Sequence, residues 1–209
     1  MRRHSGVVNM KTNVNCELDT TMWFQPGCCK NDTIVVLECP GKQEMLANRP
    51  AVGETGKNLC HLLCDLRKAN VQDLCKRTVE IINASRVPHY KGATDGEKIK
   101  DKEEVEIYKE FAESRLMRDE ITHILCFGKY AEILFDSMGN TIQNKVVICC
   151  PHIGRLGLAD GKKCYTWSDA YSEMGVCQGR LKEVSDFIQK SWHIRQVHKF
   201  PKTTKNGTN

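Results

Sequence analysis

A three-layer α/β/α domain with a mainly parallel, four-stranded central sheet is the fold this sequence predicts, on three observations. Short β-branched or apolar runs recur four times. Stretches with helical spacing of apolar residues alternate with them. The 209 residues are 40 % hydrophobic and 27 % charged, the balance of one well-buried globular domain. Strands alternating with helices favour right-handed crossovers, and hence a parallel sheet covered on both faces.

The first strand is Asp32-Thr33-Ile34-Val35-Val36-Leu37-Glu38, ended abruptly by Cys39-Pro40-Gly41. After a polar loop, Leu59, Leu62, Leu63 and Leu66 mark one face of a helix over residues 53–70. Residues 78–83 form the second strand, 102–118 a charged amphipathic helix, 121–127 the third strand closed by Gly128, and 129–138 another helix. Residues 145–150 are the fourth strand and run into Pro151-His152. Residues 168–189 supply the last helix, interrupted at Gly175 and Gly179. This divides the chain into an N-terminal extension (1–30) packed on the domain, the domain itself (31–192), and a basic, disordered tail (193–209).

Charge and cysteine content narrow the class. The net charge is +5, but the tail holds +4 of it through Arg195, Lys199, Lys202 and Lys205, so the body is nearly neutral. A basic body that would by itself indicate nucleic acid is absent; the tail could add phosphate affinity or simply be solvated. No run reaches the roughly 18 to 20 apolar residues that span a bilayer, and the start lacks the apolar core of a signal peptide. A soluble, cytoplasmic, monomeric protein without membrane contact is the expectation. The 12 cysteines sit in apolar contexts such as Ile148-Cys149-Cys150, which reads as reduced core thiols. No C-x2-C pair exists, so neither metal nor cofactor is expected.

In such sheets ligands bind beyond the carboxyl ends of the strands, which selects residues 38–41, 83–88, 128–129 and 151–155. Two familiar chemistries fail or stay weak there. Gly53-Glu54-Thr55-Gly56-Lys57-Asn58 suggests a phosphate loop, but Ala51 stands where the first glycine belongs and Asn58 replaces the magnesium-binding hydroxyl. A cysteine nucleophile paired with His152 is chemically reasonable, yet so many cysteines make chance pairings common.

A longer pattern is more specific. From Glu38 to Leu59 the chain reads ECPGKQEMLANRPAVGETGKNL, and Glu38, Pro40, Gly41, Glu44, Arg49, Pro50, Val52, Gly53 and Gly56 fall, without a gap, on the pattern E-A-P-G-x-x-E-D-x-x-G-R-P-F-V-G-x-A-G. This resembles the first motif of the uracil-DNA glycosylase superfamily. Ile81-Ile82-Asn83-Ala84-Ser85-Arg86 is similar to the strand whose terminal asparagine reads the base, and Pro151-His152-Ile153-Gly154-Arg155-Leu156 to the second motif, usually H-P-S-x-x-L. Ile124 to Ala131 is similar to the intervening strand and glycine turn. The resemblance covers about residues 32–190.

The resemblance implies hydrolysis of a base–sugar bond in DNA. That reaction builds positive charge on the sugar and negative charge on the departing base, so it needs a carboxylate near one and donors around the other. Glu38, Glu44 and His152 are the catalytic candidates. Asn83, Cys39, Ala51 and His152 would line the base, Asn83 reading its edge because an amide offers both a donor and an acceptor. Pro40 and Gly41 would let the strand approach, and Lys57 and Arg155 would hold its phosphates. Taken singly, Glu38 reads more readily as a helix N-cap or a surface acid, Asn83 as a strand-ending turn residue and His152 as a satisfied loop histidine; the order of all three carries the reading.

Departures from the pattern shape the substrate. Ala51 replaces the aromatic that stacks on the flipped base, which forgoes about 1 to 3 kcal/mol of stacking and opens space. Met45 replaces an acid, Asn48 a glycine, and Ile153 the proline after the histidine. Cys39 stands where some relatives carry a catalytic aspartate, and the cysteines of the iron-sulfur class are missing beside Val87 and Tyr108, so no cluster is expected. The implied enzyme is a monofunctional DNA glycosylase for a noncanonical pyrimidine, with the added space pointing to a bulky one such as glucosylated hydroxymethylcytosine in phage DNA, and hence to antiphage defence. The alternatives are excision of uracil or another deaminated base in repair, and a non-catalytic DNA-binding module.

Overall fold

A computed structural model describes residues 20–27, 31–88, 101–142, 144–154 and 180–201. In chain order the elements are β1 (Phe24–Gln25), β2 (Thr33–Leu37), α1 (Lys42–Ala47), α2 (Gly53–Lys68), β3 (Glu80–Asn83), α3 (Asp101–Leu116), β4 (His123–Phe127), α4 (Lys129–Met138), a 3-10 turn (Gly139–Ile142) and β5 (Val146–Cys150). A helix over 180–191, here α5, and β6 (Val197–Lys199) complete them.

These strands form one sheet in the order β1-β3-β2-β4-β5-β6, parallel except for β1. The α/β class and the parallel core stand as expected, but the sheet has six strands where four are predicted. Both additions are edge strands of two or three residues, too short and too polar at β6 to leave an apolar pattern. The disordered reading of the whole 193–209 segment is therefore corrected. Val197, His198 and Lys199 pair with Val147, Ile148 and Cys149, and Phe200 N–H donates to the Cys149 carbonyl at 2.8 Å. The polar loop expected after β2 contains a one-and-a-half-turn helix, α1. Residues 168–179 of the expected last helix lie outside the described residues.

Strand alternation sorts the core into two layers. Val35, Leu37, Ile81, Leu125, Phe127 and Ile148 face α2 and α5, whose Leu59, Leu62, Leu63, Leu66, Val184 and Ile188 are fully buried. Ile34, Val36, Ile82, Ile124, Cys126 and Val147 face the opposite way, onto Val105, Ala112 and Leu116 of α3 and Ala131 and Leu134 of α4. Truncating one of the α2 leucines to alanine costs about 2 to 5 kcal/mol. Among the described residues no helix is long and apolar enough to cross a membrane.

The chain lays β3 on one side of β2 and then β4 on the other. This reversal parts the connections leaving β2 and β4, and the crevice opens beyond their carboxyl ends.

Candidate active site

Glu38 is the first residue past β2 and stands at this reversal. Its Oε1 accepts the Lys129 N–H at the start of α4, satisfying a donor the helix cannot use internally. Gly128, with φ +94, is needed here because a Cβ would run into the Glu38 side chain. One carboxylate oxygen is thus anchored. The other, Oε2, lies 3.9 Å from His152 Nε2.

His152 follows β5 by two residues. Its Nδ1 accepts the Gly154 N–H at 3.0 Å, which leaves Nε2 as the ring nitrogen that carries a proton. That proton faces Glu38. The loop is held by Ile153, which is fully buried and whose carbonyl accepts from Asn58 Nδ2 at 2.7 Å. Asn58, unsuited to a phosphate loop, here ties α2 to the His152 loop, and Ile153 replaces a rigid proline by burial.

Asn83 ends β3 in register with Leu37. Its backbone N–H donates to the Trp23 carbonyl at 2.8 Å and its Nδ2 to the Met22 carbonyl at 3.2 Å. A carbonyl partner sets the amide orientation, because only the nitrogen can donate to it. Asn83 Oδ1 is then left buried with no hydrogen-bond partner among the described residues. A buried acceptor without a donor costs about 1 to 3 kcal/mol, which a ligand N–H would recover. The segment that orients Asn83 is fastened by Arg86, whose guanidinium lies 3.7 Å from the centre of the Trp23 ring. Nothing in sequence spacing marked Met22, Trp23 or Arg86 for this task.

Glu44 has a different environment. It is 9 % exposed, its Oε2 accepts Gly41 N–H at 3.2 Å and its Oε1 accepts Val52 N–H at 2.9 Å. The two oxygens therefore tie Gly41, which follows Cys39 and Pro40, to Val52, which follows Ala51. This is a positioning geometry, and Glu38 is the acid with an oxygen left facing outward. Asn48 closes α1 in the left-handed region at φ 47, which asparagine tolerates and which explains its standing in for glycine. Ala51 is buried at φ 53 with its carbonyl accepting from Lys76 Nζ, and burial pushes the Lys76 amine below its ordinary range. Gly56 is required because any Cβ would collide with that same carbonyl.

One cavity of about 580 Å³ collects these groups: Glu38, Cys39, Pro40, Gly41, Glu44, Ala51, Asn83 and His152 all line it. Gln43, which was not singled out by sequence, lines it too, as does the α2 start, Gly53 to Thr55. Lys57 is exposed on α2 and does not line it, and Arg155 lies outside the described residues. Of the thiols near His152, Cys150 is buried and burial pushes it far up, so it keeps its proton; Cys39 is half-buried on the cavity wall. Among the described residues no three His, Cys, Asp or Glu side chains converge as metal ligands.

Neither a protein-family model nor a curated protein matches the chain. The uracil-DNA glycosylase resemblance therefore rests on the motif residues.

Proposed function

We propose that the protein is a monofunctional DNA glycosylase that hydrolyses the N-glycosidic bond of a flipped, noncanonical pyrimidine and leaves an abasic site. The observation that carries this reading is the convergence of three distant segments on one cavity: an outward carboxylate oxygen (Glu38), an imidazole N–H (His152) and a buried amide oxygen with no partner among the described residues (Asn83).

In this reading Asn83 Oδ1 accepts from the N–H edge of the extruded base and His152 Nε2–H donates to its ring carbonyl. As the C1′–N1 bond breaks, its electron pair goes to the base, where the His152 donor stabilises the growing anion. The Glu38 carboxylate stabilises the cationic sugar and takes a proton from the water that adds its oxygen to C1′. That proton passes to the base, so water is split between sugar and pyrimidine. Glu44 holds the loop, and Pro40 and Gly41 leave room for the strand.

The substrate favoured is a bulky pyrimidine, such as glucosylated hydroxymethylcytosine of phage DNA, in an antiphage role for a cytoplasmic monomer. The support is the absence of a ring at Ala51 beside a cavity of about 580 Å³. Incubation with such DNA, followed by mass spectrometry of released bases and alkali cleavage at abasic sites, should detect the modified base. No release from modified DNA, or equal turnover on a single uracil in a duplex, rejects that substrate. Ala51→Phe should shift the preference toward small bases by about tenfold or more, read as a ratio of rates on two substrates so that general strain cancels. An unchanged ratio counts against the space argument.

A further inference from the structure

β1 is a two-residue strand at the sheet edge, too short to hold itself in place, yet the direction of the Asn83 amide depends on it. Asn83 Nδ2 donates to the Met22 carbonyl. Turned over, the amide would set Oδ1 against that carbonyl, two acceptors with no proton between them. While Met22 stays in place, Oδ1 is therefore the atom left for a ligand. A clasp keeps it there. Arg86, three residues after Asn83, lays its guanidinium over Trp23 and also lies 5.0 Å from the Tyr108 ring and 5.2 Å from the Phe111 ring of α3. Phe111 meets Trp23 edge-on at 4.9 Å and Phe24 at 5.3 Å. Arg86 Nε is buried with no hydrogen-bond partner among the described residues, a cost that marks the face of the guanidinium as the part in use. On the other side, Met22 N–H donates to Asn48 Oδ1 at 3.3 Å. The contacts close on themselves: Asn83 to Met22 and Trp23, Trp23 to Arg86, and Arg86 back along the chain to Asn83.

We propose that Arg86 is a positioning residue for base selection: by holding Trp23 it keeps Asn83 Oδ1 turned toward the ligand, and so restricts the site to pyrimidines that present an N–H donor at that edge. The inference rests on the glycosylase reading of the cavity and deepens it. Charge matters here, because a cation is drawn to the face of an indole ring where an uncharged side chain of equal length has only its packing. With the clasp open, the Met22 carbonyl withdraws and the amide turns. A base that lacks the donor is then accepted nearly as well as one that has it.

The test compares base release from duplexes carrying glucosylated hydroxymethylcytosine with release of the same base bearing hydrogen in place of its amino group, which removes the edge donor. A single uracil and a single N3-methyluracil form a second such pair. Arg86→Met keeps the length of the side chain and loses the charge; it should cut the wild-type preference for the donor-bearing base by about tenfold, and Arg86→Lys should restore most of it. A general loss of stability would slow both members of a pair alike and leave the ratio. A second measurement needs no turnover. Hydrogen exchange of the Asn83 side-chain NH2, assigned by NMR from its absence in Asn83→Asp, should be slow in the wild type and Arg86→Lys and about tenfold faster in Arg86→Met. Trp23→Leu should match Arg86→Met in both readouts, and melting temperatures confirm that each variant is folded. An unchanged ratio in active Arg86→Met, or exchange as slow as in the wild type, overturns the positioning role and leaves the glycosylase reading standing. Faster exchange in Arg86→Met, with no base release from any DNA by the wild type, supports the positioning of Asn83 and overturns the glycosylase reading.

Discussion

The two ends of the sheet make an instructive pair. Each has a cavity of about 580 Å³ rimmed with polar side chains. At the amino ends of the strands, the buried polar groups are consumed by the fold. Burial opposes ionisation of Asp32, but hydrogen bonds from Thr122, Gln72 and Thr33 outweigh it and hold the carboxyl below its ordinary range. Lys145 Nζ donates to the Arg118 and Ile121 carbonyls at 2.8 and 2.6 Å. His123 stacks on Trp192 at 4.1 Å and bonds to its carbonyl at 3.0 Å. At the carboxyl ends, by contrast, Asn83 Oδ1 has no partner among the described residues, and His152 Nε2 and Glu38 Oε2 face each other only at 3.9 Å. Volume does not separate the two cavities. A buried acceptor left open does.

The sharpest way to break this contrast is Glu38→Gln. A glutamine oxygen still accepts the Lys129 N–H, so α4 keeps its cap and the melting temperature should stay within a degree or two. Losing the charge should slow base release by about 10²- to 10³-fold, as for removal of one preorganised stabilising group. Asp32→Asn at the other end should leave the rate per folded molecule unchanged. If Glu38→Gln retains the wild-type rate, the carboxyl-end cavity is a binding site without the proposed chemistry.

A somewhat smaller effect, and on stability alone, is expected at Glu80, near the amino end of β3. It is 5 % exposed and receives Arg115 through Nε and Nη2 at 2.7 Å and Arg118 through Nη2 at 2.8 Å. Breaking a buried pair from one side costs about 3 to 5 kcal/mol, and the partly exposed arginines place Glu80→Ala near the lower end, about 3 kcal/mol. The urea midpoint should fall while kcat of the folded fraction holds. A matching loss of kcat would mean that the amino end takes part in the reaction.

How much of this was readable in advance follows the range of the interactions. β2, β4 and β5 announced themselves because buried parallel strands are continuous apolar runs, and α2 because its leucines repeat at helical spacing. β1 and β6 were invisible: Phe24 and Gln25 pair with Ile82 and Ile81, and β6 with β5, so their conformation comes from partners far along the chain. The site divides in the same way. Local motif order brought Glu38, Ala51, Asn83 and His152 to notice, and all line one cavity. The difference between Glu38 and Glu44 was not legible, because two carboxylates six residues apart look alike until Gly41 and Val52 are seen donating to Glu44. Nor could spacing reveal that Met22 and Trp23 orient Asn83 across about sixty residues.

The smallest expected effect is a pH dependence confined to the amino end. Burial lowers the pKa of His123 from its ordinary 6.5, against the opposing pull of the Trp192 carbonyl and Asp32, with His193 and Arg195 adding to the lowering. The unfolded chain therefore binds a proton at a pH where the folded protein does not. Stability contributed by this site is full above about pH 6.5 and falls as pH drops toward the folded-state value. One group can supply a slope of at most about 1.4 kcal/mol per pH unit. Asp32, also lowered, acts in the same direction but only below about its ordinary 3.8, so the two windows separate. Urea midpoints between pH 7 and 5 should decline for the wild type and flatten for His123→Gln, whose amide can still donate to the Trp192 carbonyl. An equal decline in both proteins would move the acid sensitivity elsewhere, and would show that the polar groups of the amino end are less completely spent on the fold than their hydrogen bonds indicate.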